Sequence, residues 1–146
     1  MNSNGNRAFS RTHPPILCDW NPVNFTRDPT STVSIRKFER GAITIGSEVI
    51  TENVVIFRDQ VMRDMALPEV ASIGEKDLDL LLAENPEIVI LGTGWSAERP
   101  ARDLVFAMAR RGVGFEVMDT PAACRTFNIL IGEGRDAAAI IVVQDS

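Results

Sequence analysis

The residue types best suited to chemistry fall in two short runs. They are Gly92-Thr93-Gly94-Trp95-Ser96-Ala97 and Asp119-Thr120-Pro121-Ala122-Ala123-Cys124-Arg125-Thr126-Phe127-Asn128. The first run has the Gly-x-Gly-x-x-Gly/Ala spacing of a turn that receives dinucleotide phosphates on helix-terminal amides, with Asp119 spaced to meet a ribose. Three features oppose that reading. Glu98 sets a negative charge near the phosphate position. Pro100 moves the helix start later and removes a donor. Too little chain follows Asp119 for the second half of a dinucleotide fold. The other reading is that the glycines make a tight turn at a strand end, and no cofactor is expected.

In the second run, Cys124 lies in the first turns of a helix, where the helix dipole favours a thiolate. The one histidine, His13, lies in the N-terminal stretch, far from any base position, so an inert buried thiol is expected. Asn128 interrupts an apolar helix and either ties a neighbouring loop backbone or binds a ligand. Glu98 and Asp119 form a carboxylate pair on paper, but their spacing fits capping and surface roles equally well. The sequence has no Ser-His-Asp set, no metal-ligand cluster and no Gly-Lys-Ser/Thr phosphate loop. No catalytic or metal residue is assigned. The candidate ligand- or partner-binding residues are Gly92, Thr93, Gly94, Trp95, Asp119, Thr120, Arg125 and Asn128.

The elements that must position these residues follow from periodicity. Ile88-Val89-Ile90-Leu91 is a β-branched run without polar alternation, as in a strand covered on both faces. Ala101, Leu104, Val105 and Met108 mark one face of a helix, with Pro100 in its first turn and Gly112 as its left-handed cap. Phe115 to Met118 is the next strand. Thr120-Pro121 opens a helix with Ala123, Phe127 and Leu130 inward, and Ala137 to Val143 is a last apolar strand. Strands joined by helices run parallel with right-handed crossovers. The Gly92 and Asp119 corners therefore share one rim, where ligands of such sheets sit.

Upstream, Val33, Ile35 and Lys37 alternate with polar neighbours, and Ala42–Ile45, Glu48–Ile50 and Val54–Phe57 continue an antiparallel meander. Arg58 to Val70 reads as a loop with one turn or a short strand. Ser72-Ile73-Gly74-Glu75 fits a capping box before a helix of about three turns carrying Leu78, Leu81 and Leu82. The fold class is α/β: three layers, a mixed central sheet, a C-terminal βαβαβ unit and an N-terminal antiparallel meander. Residues 1–30 are expected as a flexible tail and 31–146 as a single α/β domain.

Composition limits the function. Of 146 residues, 45% are hydrophobic and 24% charged, a globular balance, and the net charge of -5 gives no drive towards nucleic acid. No apolar run approaches the roughly 20 residues of a membrane-spanning helix. The two cysteines, Cys18 and Cys124, form neither a zinc pattern nor a disulfide framework and suit a reducing compartment. A cytoplasmic location is expected, or a mitochondrial one if the acid-free N-terminal segment is a targeting peptide.

The runs Gly41-Ala42-Ile43-Thr44-Ile45, Ile90-Leu91-Gly92-Thr93-Gly94 and Met118 to Leu130 resemble the complex I assembly factor 3 family and its small bacterial and archaeal relatives of unassigned function. The resemblance covers about residues 35–143, and Phe127 stands where the wider family often has tyrosine. It implies a three-layer fold without established catalysis. It also implies protein partners, among them subunits or assembly factors of a respiratory complex. The alternative is a small-molecule binder or enzyme using the strand-end cleft.

Overall fold

The computed structural model describes residues 33–63, 66–96 and 98–144. The expected tail at 1–30, with His13 and Cys18, lies outside the described residues. Strands β1 (Ile35–Glu39), β2 (Ala42–Ile45) and β3 (Glu48–Ile50) form an antiparallel sheet of their own. The hairpin strands β4 (Val54–Phe57) and β5 (Gln60–Arg63) turn at Arg58-Asp59 and join the main sheet. A 3-10 turn at Glu75–Leu78 leads into α1 (Asp79–Leu82). Then come β6 (Ile88–Gly92), α2 (Arg102–Arg110), β7 (Gly114–Met118), α3 (Thr120–Gly132) and β8 (Ala137–Ile141). The five-stranded sheet has the order β5-β4-β8-β6-β7, with β6 parallel to both neighbours and β4 antiparallel to β8.

The period-2 geometry of strands divides the core. Val54, Ile56, Ile90, Ala139 and Ile141 face α3 and the small sheet. Val55, Phe57, Val89, Leu91 and Ile140 face α1 and α2. Central strands covered on both faces have no place for a polar residue, which is why β4 and β8 are buried along their whole length. The chain leaves β6 for β7 on one side and returns from β7 to β8 on the other. Right-handed crossovers in opposite directions require helices on opposite faces, and α2 and α3 do lie on opposite faces.

Four local expectations need correction. A bulge between Ile35 and Lys37 shifts the register of β1, so Lys37 is exposed and Phe38 packs inward. The Ser72–Glu75 box is absent; instead Asp77 Oδ2 accepts the Gly74 N–H at 2.8 Å, and the α-helical part is one turn. Pro100 precedes the helix, whose N-cap is Ala101 and which buries Leu104, Ala107 and Met108, leaving Val105 outside. The β1–β3 meander does not extend the main sheet; the β4–β5 hairpin does. Gly112 is the left-handed cap expected, at φ 73°. No helix among the described residues is long and apolar enough to cross a membrane.

Two polar contacts fasten the small sheet to the rest. Asn128 of α3 accepts the Ile35 N–H at 2.9 Å and donates to the Ile35 carbonyl at 2.8 Å. Arg63 of β5 binds Glu52 at 3.0 Å and Glu48 of β3 at 3.1 Å.

Asn128→Ala strands both Ile35 backbone groups in part-buried surroundings. It should cost about 1–3 kcal/mol in urea unfolding, and Asn128→Asp, which keeps the shape but loses the donor, should cost a comparable amount. The Arg63 hydrogen bond holds the Glu52 carboxyl below its ordinary 4.5. A depressed carboxylate stabilises above the unfolded value, and its contribution fades as pH falls through the lower folded value. Glu52→Gln should therefore cost about 0.2–1 kcal/mol at neutral pH, and the gap to wild type should close on acidification below that range.

Candidate functional site

The C-terminal ends of β6 and β7 lie side by side, as the parallel pairing Gly92↔Met118 requires. Backbone bonds continue the register past the strands: Thr93 N–H donates to the Met118 carbonyl at 2.9 Å, and Thr120 N–H to the Gly94 carbonyl at 2.8 Å. The following chains then part, one towards α2 and the other into α3 on the opposite face. Such a divergence is a topological switch point, the usual place for a crevice in sheets of this kind.

Thr120 sets the geometry of this corner. It is fully buried, and its hydroxyl accepts the Gly94 N–H at 2.8 Å and donates to the Val142 carbonyl at 2.7 Å. One side chain thus joins the end of β6, the start of α3 and the residue after β8. Gly94 turns at φ 96°, a conformation open to glycine at no steric cost. Gly92 is needed for a different reason. A Cβ there would lie 2.9 Å from Ala123 Cβ and 3.2 Å from Thr120 Cα, so only glycine lets α3 sit this close to the strand. Asp119 is the N-cap of α3 and accepts the Ala122 N–H at 2.9 Å, with Pro121 in the first turn.

The groove at the switch point has a volume of about 310 Å³ and is lined by Thr93, Trp95, Glu98, Arg99, Met118 and Asp119, with Ser96 at its edge. Thr93 is buried, and its hydroxyl lies 3.3 Å from the Met118 carbonyl. A second groove, of about 300 Å³, lies beyond Thr93, Ser96 and Glu98 and is bounded by Asn53, Val142 and Gln144. Six of the eight expected residues therefore meet at one corner: Gly92, Thr93, Gly94, Trp95, Asp119 and Thr120. Arg125 and Asn128 do not reach it. Arg125 stacks on the Phe38 ring at 5.5 Å, and Asn128 clasps β1. Glu98 and Arg99 belong to the groove's lining, and their place directly after the glycine turn was the signal for them.

The arrangement departs from a dinucleotide turn. The helix after the glycines begins at Arg102, too far along for its amides to face the Gly92–Gly94 corner. The Thr93 and Gly94 amides already donate within the protein. Cys124 is fully buried, and burial pushes its thiol up to about 12, the reverse of an activated nucleophile. Among the described residues no group of His, Cys, Asp and Glu is arranged to hold a metal ion.

The fold and its rim define a three-layer α/β protein with an open groove at the switch point of a mixed sheet. The chain belongs to the family described as "Protein of unknown function (DUF498/DUF598)", which matches residues 35–142. It is 45% identical over 134 residues, 92% of this chain, to the bovine protein named NADH dehydrogenase [ubiquinone] 1 alpha subcomplex assembly factor 3. The match covers 69% of that protein, and only 34% of its human namesake. It is 28% identical over 111 residues to the 13 kDa major membrane protein of Francisella tularensis, covering 75% of this chain and 90% of that one. A solved structure from Xanthomonas campestris, 29% identical, superposes with a TM-score of 0.72 over 84% of this chain and 92% of that one.

Thr120→Val should cost about 2–4 kcal/mol in thermal or urea unfolding, because it orphans a buried amide and a buried carbonyl together. Thr120→Ser, which keeps the hydroxyl, should retain most of the stability.

Proposed function

We propose that this protein is a non-catalytic binding factor that helps assemble a respiratory, complex I-like enzyme. It engages its partner through the strand-end rim at Trp95 and Asp119, whose shape is set from beneath by Gly92, Thr93, Gly94 and Thr120. The observation that carries the reading is the 45% identity to an assembly factor along 92% of the chain. The chemistry of the corner agrees with it. Thr120 and the glycine-turn amides are committed to intramolecular bonds, and the cysteine is buried with a raised pKa. Those groups hold a shape and carry out no reaction. Trp95, half-buried on the groove wall, is the anchor, in keeping with the weight of tryptophan in protein interfaces.

The switch-point position favours one second reading, a small ligand held between Thr93, Glu98, Arg99 and Asp119.

Native purification of the tagged chain separates the two readings. Under the first, subunits or assembly factors of an NADH dehydrogenase co-purify, and Trp95→Ala reduces their yield about tenfold or more. Recovery of none of them would refute it. Under the second, the denatured protein releases one small molecule that an Asp119→Ala preparation lacks, and a protein that releases nothing would refute that reading.

A further inference from the structure

The main sheet ends at β7, and no described strand pairs with its outer edge. The bonds to β6 fix which backbone groups that edge presents. Gly114 N–H donates to the Glu87 carbonyl at 3.1 Å, and the Met118 carbonyl accepts the Thr93 N–H at 2.9 Å. In a parallel ladder alternate residues turn both their groups to the same neighbour. Gly114, Glu116 and Met118 therefore bond to β6, and the N–H and C=O of Phe115 and Val117 point outward. Native proteins blunt such edges with lysine, proline or a bulge. β7 has none of these: its sequence is Gly-Phe-Glu-Val-Met, and its register runs unbroken from Gly114 to Met118. The opposite edge differs, because β5 carries Arg63, which is tied to Glu48 and Glu52. The apolar layer is also unfinished at β7. Phe115 and Val117 are only half-buried beneath α2. A groove along one flank of α2 runs beside Asp103, Phe106 and Arg110. Val105, 41% exposed, and the exposed Ala109 stand on the other flank, over the open edge.

We propose that the β7 edge takes an extended segment of a partner protein as a further strand of the sheet, with apolar residues opposite Phe115 and Val117 and a lysine or arginine opposite Glu116. Outward N–H and C=O groups at strand spacing are matched together by another extended backbone, the basis of strand addition. The side-chain pattern of the segment follows from period-2 alternation. Residues opposite Phe115 and Val117 lie on the α2 face, against Val105. The residue between them lies opposite Glu116, on the α3 face. In the antiparallel direction, the commoner one, this is a non-hydrogen-bonded pair, where side chains approach closest. The α3 face is acidic at this edge. Glu116 is exposed, Asp119 caps the start of the helix and Glu133 its end, and Arg125 is drawn off to Phe38. Arg102 stands across the sheet from Glu116, on α2. A second copy of β7 fits poorly. The antiparallel register that faces the whole strand against itself sets Glu116 against Glu116, a like-charge pair. Registers displaced by two residues avoid that contact but face only 114–116 or 116–118 of each strand. The inference concerns the form of the docked segment and stands apart from the assembly reading.

Amide hydrogen exchange of the full-length chain, read residue by residue by NMR, tests it. In the free protein the Phe115 and Val117 amides should exchange about a hundredfold or more faster than the Glu116 amide between them. The probe is a synthetic peptide of alternating valine and lysine with blocked ends. In the millimolar range it should slow exchange at both outward amides. Methylating its valine nitrogens should weaken binding about tenfold or more, whereas methylating its lysine nitrogens, which face away from β7, should not. Replacing its lysines by glutamates should weaken binding about fivefold, and Glu116→Lys should reverse that preference. Protection of Phe115 and Val117 in the free chain would show the edge already covered, by this chain or by a second copy, and would overturn the proposal. So would outward amides that the peptide leaves unchanged, or binding indifferent to which nitrogens are methylated or to the Glu116 reversal.

Discussion

One hydroxyl group ties the functional end of this molecule together. The turn after β6 and the exit of β8 are far apart in sequence, and each has a backbone group that must be paired where water cannot reach, beside the start of α3. Thr120 Oγ1 takes the Gly94 amide and gives its proton to Val142, so all three close on a single buried atom. This works only because Gly92 lets the helix press against the strand. The shape of the rim is therefore a consequence of core packing, and its lining residues are held on a rigid base.

The opposite directions of the two crossovers explain the rest of the architecture. α2 and α3 must lie on different faces, so the loops leaving β6 and β7 diverge and a crevice opens between them. The small antiparallel sheet then covers the α3 face, fixed by the Asn128 amide and by the Arg63 clasp. Among the described residues the α2 face has no such cover, and Val105 and Phe106 are exposed. An asymmetry of cladding thus separates two surfaces with distinct chemistry: a polar groove at the strand ends and an exposed apolar pair, Val105 and Phe106, on α2.

Much of this was legible in the residues. Apolar runs at Ile88–Leu91 and Ala137–Val143 can be buried only in a doubly covered sheet, and Asp-Thr-Pro can cap a helix by local bonds alone. The convergence of the Gly92 and Asp119 corners follows from parallel pairing of consecutive strands. Less legible were features set by a distant partner. Lys37 has the alternation of a core-facing position, yet a bulge opposite β2 turns it out and brings Phe38 in. Val105 has helical spacing for burial, yet the burying surface takes in Ala107, on the other side of Leu104 and Met108, in its place. Arg125 lies near the site in sequence, but Phe38, from the far end of the chain, draws it to the other sheet.

The sequence by itself determined the order and type of the major elements, the glycine corner and the cap at Asp119, because each depends on interactions within a few residues. Tertiary structure alone decided which polar side chains remain available to a ligand or partner. Asn128 and Thr120 have the chemistry of binding residues, but donors and acceptors up to 93 positions away complete their hydrogen bonds. A side chain's local context states what it can bond to, whereas the folded chain determines whether that capacity is already used.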